Sequence, residues 1–413
     1  MLNRSMASAV SGLKAYQTWL DVIGNNIANI ATPGFKASRV RFEDVMNHTL
    51  RGASVPDPVQ GRGGRNPAQV GLGVLAAGID TDYAPGTPTA TGKMSHMAIQ
   101  GEGYFVVADG VRTYYTRDGS FDLGIDGRLV NPSTGLFVMG WQADANGVID
   151  TSQPLSSIRI PIGEEMDAMH STSIAVPGNL DASAANGTTY TTDVTVIDSL
   201  GFRHSVSLTF QKTGTNTWSW TYSSTEAGVT LTNATGSVEF DNQGNVLNVT
   251  SGGDLTIQWG NGAADTVIAG GGDFTRLTQL AAPSDAAGVA DGSTAGALTS
   301  FAISVDGVIT GIYSNGATKA LGQIALATFA NPGGLLKEGQ NLLSPSPNSG
   351  QAVIGTPAGG GRGQVAAGYL EMSNVDLAEE FTNMILAERG FQANSRVVTT
   401  SDEVLQDLVN LKR

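Results

Sequence analysis

The sequence predicts an α+β protein, with a long helix at the N-terminus, another at the C-terminus, and two mostly antiparallel β domains between them. Two observations support this fold class. Apolar residues recur every three or four positions only in the two ends, which is the heptad pattern of helices that pack along other helices. In the middle, apolar and polar residues alternate and Asp-Gly pairs interrupt the alternation, which indicates strands joined by tight turns.

The N-terminal heptad pattern is continuous and ends at a clear stop. A helix with one apolar stripe is unstable alone and needs a partner. Thr32-Pro33-Gly34 predicts the end of the helix, because Pro33 lacks an amide donor and disfavours helical backbone at Thr32. The apolar positions are Leu2, Met6, Ala9, Leu13, Tyr16, Leu20, Ile23, Ile27 and Ile30.

A second heptad pattern fills the C-terminal end of the chain. Its alternate row is mixed, since Phe381 and Val409 share it with Glu388, Ser395 and Asp402. Ser373 and Asp376 precede the pattern and can cap a helix. Two amphipathic ends with no helix between them predict that the two helices meet. The main row is Leu377, Met384, Phe391, Val398 and Leu405.

Asparagine is concentrated near both heptad patterns, although it is a weak helix former. Asn25, Asn26 and Asn29 lie at the end of the first helix. Asn374, Asn383 and Asn394 lie on or beside the second. We interpret these residues as hydrogen-bonding groups toward neighbouring chains, with a helix-to-loop change at Thr32–Lys36. A fraying helix end is the alternative interpretation.

The middle of the chain reads as β-structure, with one long connection before it. Arg51–Gln69 is rich in Gly, Pro and Arg and follows neither period, so we expect an extended loop. Turn sequences at Asp109-Gly110 and Asp306-Gly307 predict hairpins. Thr172–Leu280 is rich in Thr, Ser, Asn and Gly, which is typical of a surface β domain with polar edges.

Composition excludes several classes of function. The net charge of −14 repels nucleic acid phosphates and anionic lipid, so we expect neither as a partner. The chain has no Cys, which excludes disulfides and thiol chemistry. No apolar run reaches the length of about eighteen residues that a membrane span needs, so we expect no membrane insertion. The N-terminal apolar residues are spread on a helical period, so any export proceeds without a cleaved signal peptide.

The motifs that suggest a bound cofactor, metal or catalytic site lack their required context. Gly71-Leu-Gly73-Val-Leu-Ala76 matches a dinucleotide fingerprint, but Pro85 and Pro88 leave no room for the helix that must follow it. Asp144–Asp150 resembles the middle of a calcium loop without its two strongest ligand positions. The four histidines are far apart in the sequence. We therefore expect no cofactor, no metal and no enzyme activity.

Several stretches resemble the bacterial flagellar axial proteins, the family of rod and hook subunits. They cover both ends and their flanking segments, about half of the chain. Three separate motifs in the right order make the resemblance specific. The N-terminal signature is carried by Ser11–Leu13, Asp21–Asn29 and Thr32–Lys36, the C-terminal signature by Glu371–Leu377 and Ala387–Ser395, and the first β domain by Ala98–Phe105 and Tyr115–Phe121.

The resemblance implies four regions. Residues 1–34 and 366–413 form the axial helical assembly domain, and residues 35–91 an extended linker or loop. Residues 92–147 and 280–365 form a discontinuous first β domain, and residues 148–279 an inserted outer β domain. The insertion favours the hook branch of the family. A distal-rod-like subunit is the alternative, because the loop at 51–69 is similar to one of the distal rod.

The resemblance further implies a subunit of a flexible helical tube that transmits torque from rod to filament. The chain would be exported through the flagellar type III channel to an extracellular position. Its expected partners are copies of itself, the hook cap, the distal rod, the hook–filament junction protein, the hook-length ruler and the export apparatus. An extracellular β-domain adhesin is the alternative from another class. The residues expected to act in self-assembly are Leu2, Met6, Leu13, Leu20, Ile23, Asn25, Asn26, Ile27, Asn29, Gly34, Phe35, Leu377, Phe381, Met384, Phe391, Val398 and Leu405.

Overall fold

The computed structural model of the chain describes residues 2–53, 55 and 63–410, apart from the side chains of residues 2, 3 and 408. Within these residues, α-helix is confined to the two ends, as α1 (Leu2–Ala28) and α2 (Leu377–Asn410). The chain between them is built from β-strands. The predicted α+β class, with helices at both ends of a β-rich middle, is therefore confirmed.

The strands are short and numerous. Those before residue 161 are β1 (Ser38–Asp44), β2 (Asn47–Arg51), β3 (Ala68–Gly71), β4 (Val74–Thr81), β5 (Pro88–Ala90), β6 (Met97–Gln100), β7 (Tyr104–Ala108), β8 (Thr113–Thr116), β9 (Asp122–Leu123), β10 (Leu129–Val130), β11 (Phe137–Gln142) and β12 (Ser156–Ser157). The next are β13 (Glu165–Met166), β14 (Ile174–Ala175), β15 (Gly178–Asp181), β16 (Thr189–Ile197), β17 (Arg203–Gly214), β18 (Thr217–Ser223), β19 (Thr230–Thr232), β20 (Thr235–Phe240), β21 (Val246–Ser251), β22 (Leu255–Gln258), β23 (Thr266–Ile268), β24 (Leu277–Leu280) and β25 (Val289–Ala290). The last are β26 (Gly296–Ile303), β27 (Val308–Tyr313), β28 (Thr318–Ile324), β29 (Leu326–Thr328), β30 (Leu336–Gly339), β31 (Leu342–Ser344), β32 (Val353–Gly355), β33 (Gln364–Ala367) and β34 (Tyr369–Glu371).

Local chemistry sets the inner ends of the two helices. Helix α1 ends at Ala28, and Thr32 N–H donates to the Asn29 carbonyl in the turns before Gly34. Helix α2 begins after Asp376, whose Oδ1 accepts the N–H of Ala378 at 2.8 Å. An aspartate at this position satisfies a free amide of the first turn and favours the helix dipole. The predicted stop at Thr32–Gly34 and cap at Asp376 are both present.

The chain folds into two compact units. Unit 1 comprises Met1–Ile160, Ala302–Thr310 and Ala320–Arg413, and unit 2 comprises Pro161–Phe301 and Gly311–Lys319. Strands β7 and β8 of unit 1 form a hairpin at the predicted Asp109-Gly110 turn. In the sheet of unit 1 the strand order is β28-β11-β7-β8-β31-β30. Its core is aromatic, with the Tyr115 and Phe329 rings edge to face at 4.8 Å.

Much of the segment 35–91, which we expected to be a linker or loop, is paired β-structure. Strand β1 pairs with β4 and β2 pairs with β3, all antiparallel. Val45 N–H donates to the Gly73 carbonyl between the two pairs, so they form one two-stranded β-arm. The pattern was missed because the arm exposes both faces over much of its length and so shows no clear alternation. Residues 54 and 56–62 of the predicted loop Arg51–Gln69 lie outside the described residues.

Unit 2 is a β domain with a closed core. Five antiparallel strands follow the order β16-β17-β18-β20-β21, and β19-β22-β23 form a second sheet. Trp218, Trp220 and Phe210 are fully buried in its core. The outward positions of the five-stranded sheet are mostly Thr and Ser. Thr191, Thr209, Thr221 and Thr235 are successive cross-strand partners, so hydroxyl groups cover that face.

Candidate self-assembly surface

Helices α1 and α2 pack side by side in opposite directions. Asn26 Nδ2, near the end of α1, donates to Glu380 Oε1 near the start of α2 over 2.8 Å. Gly12, nearer the start of α1, lies so close to Asn394 that an added Cβ would stand 2.9 Å from the amide oxygen. Residue numbers fall on one helix as they rise on the other, so the pair is antiparallel. The predicted meeting of the two ends thus occurs within one chain.

The face of α2 that lies against α1 is made of small and polar residues. Ala387 is fully buried and Ser401 nearly so, and both are spaced by seven from Asn394. A Cβ added to Gly390 would come 2.4 Å from the ring of Tyr16. Small side chains allow two helix backbones to approach closely. The most buried positions of α2 are therefore not those of the predicted apolar row, in which Met384, Val398 and Leu405 are half-buried and Leu377 and Phe391 are exposed.

Eight large apolar side chains of α2 are instead uncovered in the single chain. Phe381 is 50% exposed, Ile385 58% and Leu386 56%. Large exposed apolar patches on a folded protein mark interaction sites. The other exposed apolar side chains of this helix are Leu377, Phe391, Val397, Val404 and Val409.

The residues expected to act in self-assembly differ in how deeply each is buried within the single chain. Ile23, Asn26 and Gly34 are buried, whereas Asn25, Leu377, Phe381 and Phe391 are exposed. The Leu2 side chain lies outside the described part of the chain. The half-buried members are Met6, Leu13, Leu20, Ile27, Asn29, Phe35, Met384, Val398 and Leu405.

The β-arm adds a second uncovered apolar surface to unit 1. One side of the arm packs on α1, where Phe42 lies edge to face with Trp19 at 5.7 Å between ring centroids. Ser11 Oγ of α1 also accepts the N–H of Val74 at 3.2 Å. A two-stranded ribbon is marginally stable alone, so these contacts hold it. Its exposed apolar residues are Val45, Met46, Leu50, Val70, Leu75 and Ile79.

A buried ionic cluster, here called the clasp, joins the ends of the chain to the first β-strands. Glu371 lies at its centre and is almost fully buried. Its Oε1 is 2.6 Å from Lys36 Nζ, and its Oε2 is 3.3 Å from Arg117 Nη1. The Gly86 N–H donates to the same carboxylate at 2.9 Å. The clasp brings together Thr32–Lys36, Tyr115–Phe121 and Glu371–Leu377, three of the stretches that carry the family resemblance.

The electrostatics of the clasp depend on all three charges. Burial lowers the pKa of Lys36, while the adjacent Glu371 carboxylate acts to raise it. Arg117 is also buried, and Glu102 reaches it only at 3.9 Å from an exposed position. Two buried cations therefore share one buried anion. Removing one partner of such a cluster leaves an uncompensated charge and strongly destabilises the fold.

Two asparagines and one glycine complete the connection around the clasp. Asn26 Oδ1 accepts the N–H of Ser38 at 2.9 Å, and its Nδ2 donates to the Ser38 carbonyl at 2.8 Å. Asn374 Oδ1 accepts the N–H of Ala37 at 2.8 Å. Gly34 has φ +70, and an added Cβ would stand 2.6 Å from the Asp118 nitrogen. Asn26 thus bonds within its own chain, although we expected it to bond neighbouring chains.

Sequence reasoning missed most of the clasp. In the sequence, Lys36 belongs to the predicted helix-to-loop change at Thr32–Lys36, and Glu371 and Arg117 belong to stretches that carry the family resemblance. A single sequence gives no signal for a buried ion pair 335 positions apart.

Two turns that we examined as cofactor or metal motifs have structural roles. Gly73 lies against Ser11 of α1, and Asp144 Oδ1 accepts the N–H groups of Asn146 and Val148.

The described residues contain no group of three or more His, Cys, Asp or Glu side chains placed to hold a metal ion. Neither α1 nor α2, as far as they are described, is long and apolar enough to cross a membrane. The contacts around α1, α2, the β-arm and the clasp are those of helix packing, strand pairing and buried charge. What this arrangement can do is bind another protein surface through α2 and the β-arm.

Four protein-family models match the chain in succession. Residues 6–36 match the "Flagella basal body rod protein" family and residues 98–182 the "Flagellar hook protein FlgE/F/G D1 domain". Residues 166–354 match the "Flagellar basal body protein FlaE D2 domain". Residues 366–411 match the "Flagellar basal body rod FlgEFG protein C-terminal" family. Together they include both ends and both units.

Whole-length relatives agree with these matches. The flagellar hook protein FlgE of Treponema pallidum is 40% identical over 99% of this chain and all of its own. The flagellar basal-body rod protein FlgG of Bacillus subtilis is 33% identical over 99% of both chains. The crystal structure of Helicobacter pylori hook protein FlgE2 shares the fold, with a TM-score of 0.52 and 15% identity over 69% of this chain and all of that one. This chain, with its clasp, paired terminal helices and β domains, thus belongs to the flagellar hook protein family and is a structural subunit of the hook.

Proposed function

We propose that the chain self-assembles into a flexible helical tube that transmits torque from the flagellar rod to the filament. The observation that carries the proposal is the uncovered apolar surface of α2 and the β-arm in a single folded chain. Burying one such side chain is worth about 1.5–3 kcal/mol. Eight exposed apolar side chains on α2 therefore represent a large gain that only contact with another chain can supply.

The presence of two different uncovered apolar patches supports an open polymer. The α2 surface and the β-arm are different patches, so a copy can present one to a neighbour and receive the other. A repeated contact between unlike patches that does not close gives a helical filament. We infer that residues 1–34 and 366–413 form the axial assembly domain, and that residues 92–147 with 280–365, and 148–279, form the two β domains. The clasp then fixes the helical ends to the β-structure that carries load.

The location of the chain outside the cell and its binding partners follow from the proposed tube. We infer that the chain reaches an extracellular position through the flagellar export apparatus, without a cleaved signal peptide. Its partners are further copies of itself, the distal rod at one end, the hook–filament junction protein at the other, and the hook cap and length ruler during growth. The residues named from the sequence remain the proposed assembly set, except Asn26, which is buried and bonds within its own chain, and Ile385 and Leu386 are added from the structure.

Replacing Phe381 and Ile385 together by Asp tests the proposal. Both side chains are at least half exposed in the single chain, so the melting temperature of the monomer should stay unchanged. Tube formation, followed by sedimentation and negative-stain electron microscopy, should be abolished because two charges enter an apolar contact. The matched control, Gln392→Asp with Thr399→Asp, adds the same charge at exposed polar positions of α2 and should still assemble. Tubes from the Phe381 and Ile385 variant would contradict the proposal.

A further inference from the structure

A second ionic cluster lies in unit 2 and is independent of the helical ends. His204, at the start of β17, is its centre. Asp198 comes from the turn between β16 and β17, and Glu226 from the loop after β18. Trp259 and Asn261 follow β22. The cluster therefore ties the five-stranded sheet of unit 2 to its three-stranded sheet.

Both nitrogens of the His204 ring face carboxylate oxygens. Nδ1 lies 2.6 Å from Glu226 Oε2, and Nε2 lies 3.1 Å from Asp198 Oδ2. The ring stacks on the Trp259 indole at 4.1 Å between centroids, with 19° between the planes. The His204 side chain is 12% exposed and the Asp198 side chain is fully buried. The ring is thus held on both edges and on one face.

With both carboxylates ionised, this geometry requires the charged imidazolium. A neutral imidazole has one N–H, so one of its nitrogens would direct a lone pair at a carboxylate. With both nitrogens protonated, each carboxylate accepts a charge-assisted hydrogen bond. The charged groups placed against the ring are Asp198 and Glu226, and the neighbouring Asn261 is neutral. Its Nδ2 donates to Asp198 at 2.6 Å, which fixes that carboxylate.

The same carboxylate organises the turn that precedes His204. Asp198 Oδ1 accepts the N–H of Leu200 at 2.9 Å and that of Phe202 at 2.8 Å. Leu200 and Phe202 are more than half exposed, so polar contacts hold this turn. Besides the Asp198 carboxylate, these are the backbone hydrogen bonds from Asp198 N–H to the Phe202 carbonyl and from Gly201 N–H to the Asp198 carbonyl, and the Ala264 N–H donated to Ser199 Oγ. On the other side, Glu226 Oε1 accepts the N–H of Ser205 at 3.0 Å. The His204 ring thus lies between the carboxylate that organises the turn and the carboxylate that bonds the start of β17, and it adds to the shared apolar core that holds the two sheets together.

The directions of the pKa shifts agree with this geometry. Burial acts to lower the pKa of His204, but its hydrogen bonds to Glu226 and Asp198 outweigh burial and raise the pKa. Hydrogen bonds from His204 and from the Ser205 amide lower the pKa of Glu226. Burial acts to raise the pKa of Asp198, but its hydrogen bonds from Asn261 and His204 lower it overall.

We propose that Asp198, His204 and Glu226 form a proton-dependent clamp that joins the two sheets of unit 2 and holds the 198–202 turn, and that opens when His204 loses its proton. Because the pKa of His204 is raised on folding, the stabilisation is complete below its unfolded value, about 6.5, and is lost as pH rises through the folded value. Because the carboxyl pKa values are lowered, it is also lost at strongly acidic pH. The clamp therefore acts between these limits.

Three measurements on the full-length protein, kept dilute so that it stays monomeric, test the clamp. The NMR titration of His204 should have its midpoint above the value in the denatured chain. The stability of unit 2 toward denaturant should fall as pH rises through that midpoint. Trp259 fluorescence should rise over the same pH range, since a charged imidazole in contact with an indole quenches it.

Two variants and a control make the test specific. His204→Gln should remove the pH dependence of both stability and fluorescence. Glu226→Gln should shift the His204 midpoint downward, because one carboxylate is lost while the amide keeps the shape. Glu239→Gln makes the same charge change at an exposed position of β20 and should behave like the natural chain. An unchanged pH dependence in His204→Gln, or a folded midpoint at or below the denatured one, would overturn the proposal. None of these readouts depends on tube formation, so they are separate from the test of assembly.

Discussion

Unit 2 buries its large apolar side chains, whereas the C-terminal helix α2 leaves many of its own exposed. In unit 2, Trp218, Trp220 and Phe210 are fully buried within one chain, and hydroxyl rows cover the outward face of the larger sheet. On α2, Phe381 and Ile385 stay at least half exposed while Ala387 is buried against α1. Unit 2 also contains 14 Asp and Glu against 4 Lys and Arg residues, a net charge of −10.

The difference shows which part of the chain is complete on its own. A closed core with a polar, acidic surface favours a soluble domain that resists association. A helix that buries small residues within its own chain and leaves large ones exposed can gain further stability from another chain. We therefore expect substitutions in unit 2 to change folding, and those at the exposed apolar positions of α2 to change assembly. Four substitutions at buried positions, in unit 2, in the clasp and where α2 packs on α1, test the folding side of this comparison.

Trp220→Ala should have the largest effect on stability. The ring is fully buried and stacks on Phe274 at 5.5 Å, so its loss leaves a cavity in the core of unit 2. We expect about 3–5 kcal/mol of destabilisation, measured by denaturant unfolding. Thr221→Ala, on the exposed face of the same strand, should change stability by about 0.5 kcal/mol or less. Equal effects from the two would mean that the core is not where the stability of unit 2 resides.

Glu371→Gln should weaken the clasp without touching unit 2. The variant keeps the shape but leaves Lys36 and Arg117 buried without their anion. We expect a loss of about 3 kcal/mol in unit 1, since breaking a buried pair is far more costly than breaking an exposed one. Hydrogen exchange should show faster opening in β33, β34 and the start of α2. Glu102→Gln removes the exposed partner of Arg117 and should be nearly neutral.

Gly34→Ala should destabilise the protein more than the replacement of a glycine whose only constraint is its left-handed backbone. Gly34 and Gly92 both have left-handed φ, +70 and +74. Open space surrounds Gly92, whereas a Cβ on Gly34 meets the Asp118 backbone. We expect about 1 kcal/mol for Gly92→Ala and about 2–3 kcal/mol for Gly34→Ala, measured by thermal unfolding. Similar losses at both sites would show that the chain can move Gly34 away from Asp118 at little cost.

Ala387→Leu should give the smallest effect of the four. Ala387 is fully buried against α1, so a larger side chain forces the two helices apart. Overpacking of this kind costs about 1–3 kcal/mol, and we expect the lower end because exposed helices can shift. The loss of helical circular dichroism on heating measures it. Ala393→Leu lies on an exposed position of the same helix and should leave the melting curve unchanged.

Local signals in the sequence were sufficient to predict the two helices and the β7–β8 hairpin. The heptad spacing of Leu2–Ile30 and Leu377–Leu405, the stop at Pro33 and the cap at Asp376 are all set by residues within a few positions of one another. The Asp109-Gly110 hairpin is equally local. The β-arm was missed because its alternation is weak and its partner strands, β1 and β4, are separated by a Gly- and Pro-rich stretch.

The sequence by itself determined the α+β class, the two terminal helices and the family resemblance. Helix periodicity, turn chemistry and signature stretches each depend on residues that are close together in the chain. Only the tertiary structure decided that α2 turns Ala387, Asn394 and Ser401 toward α1 and leaves Phe381 and Ile385 uncovered. It also decided that Lys36, Arg117 and Glu371 share one buried site, and that His204 lies between two carboxylates. These arrangements join distant positions, and burial and charge pairing in the folded chain select them.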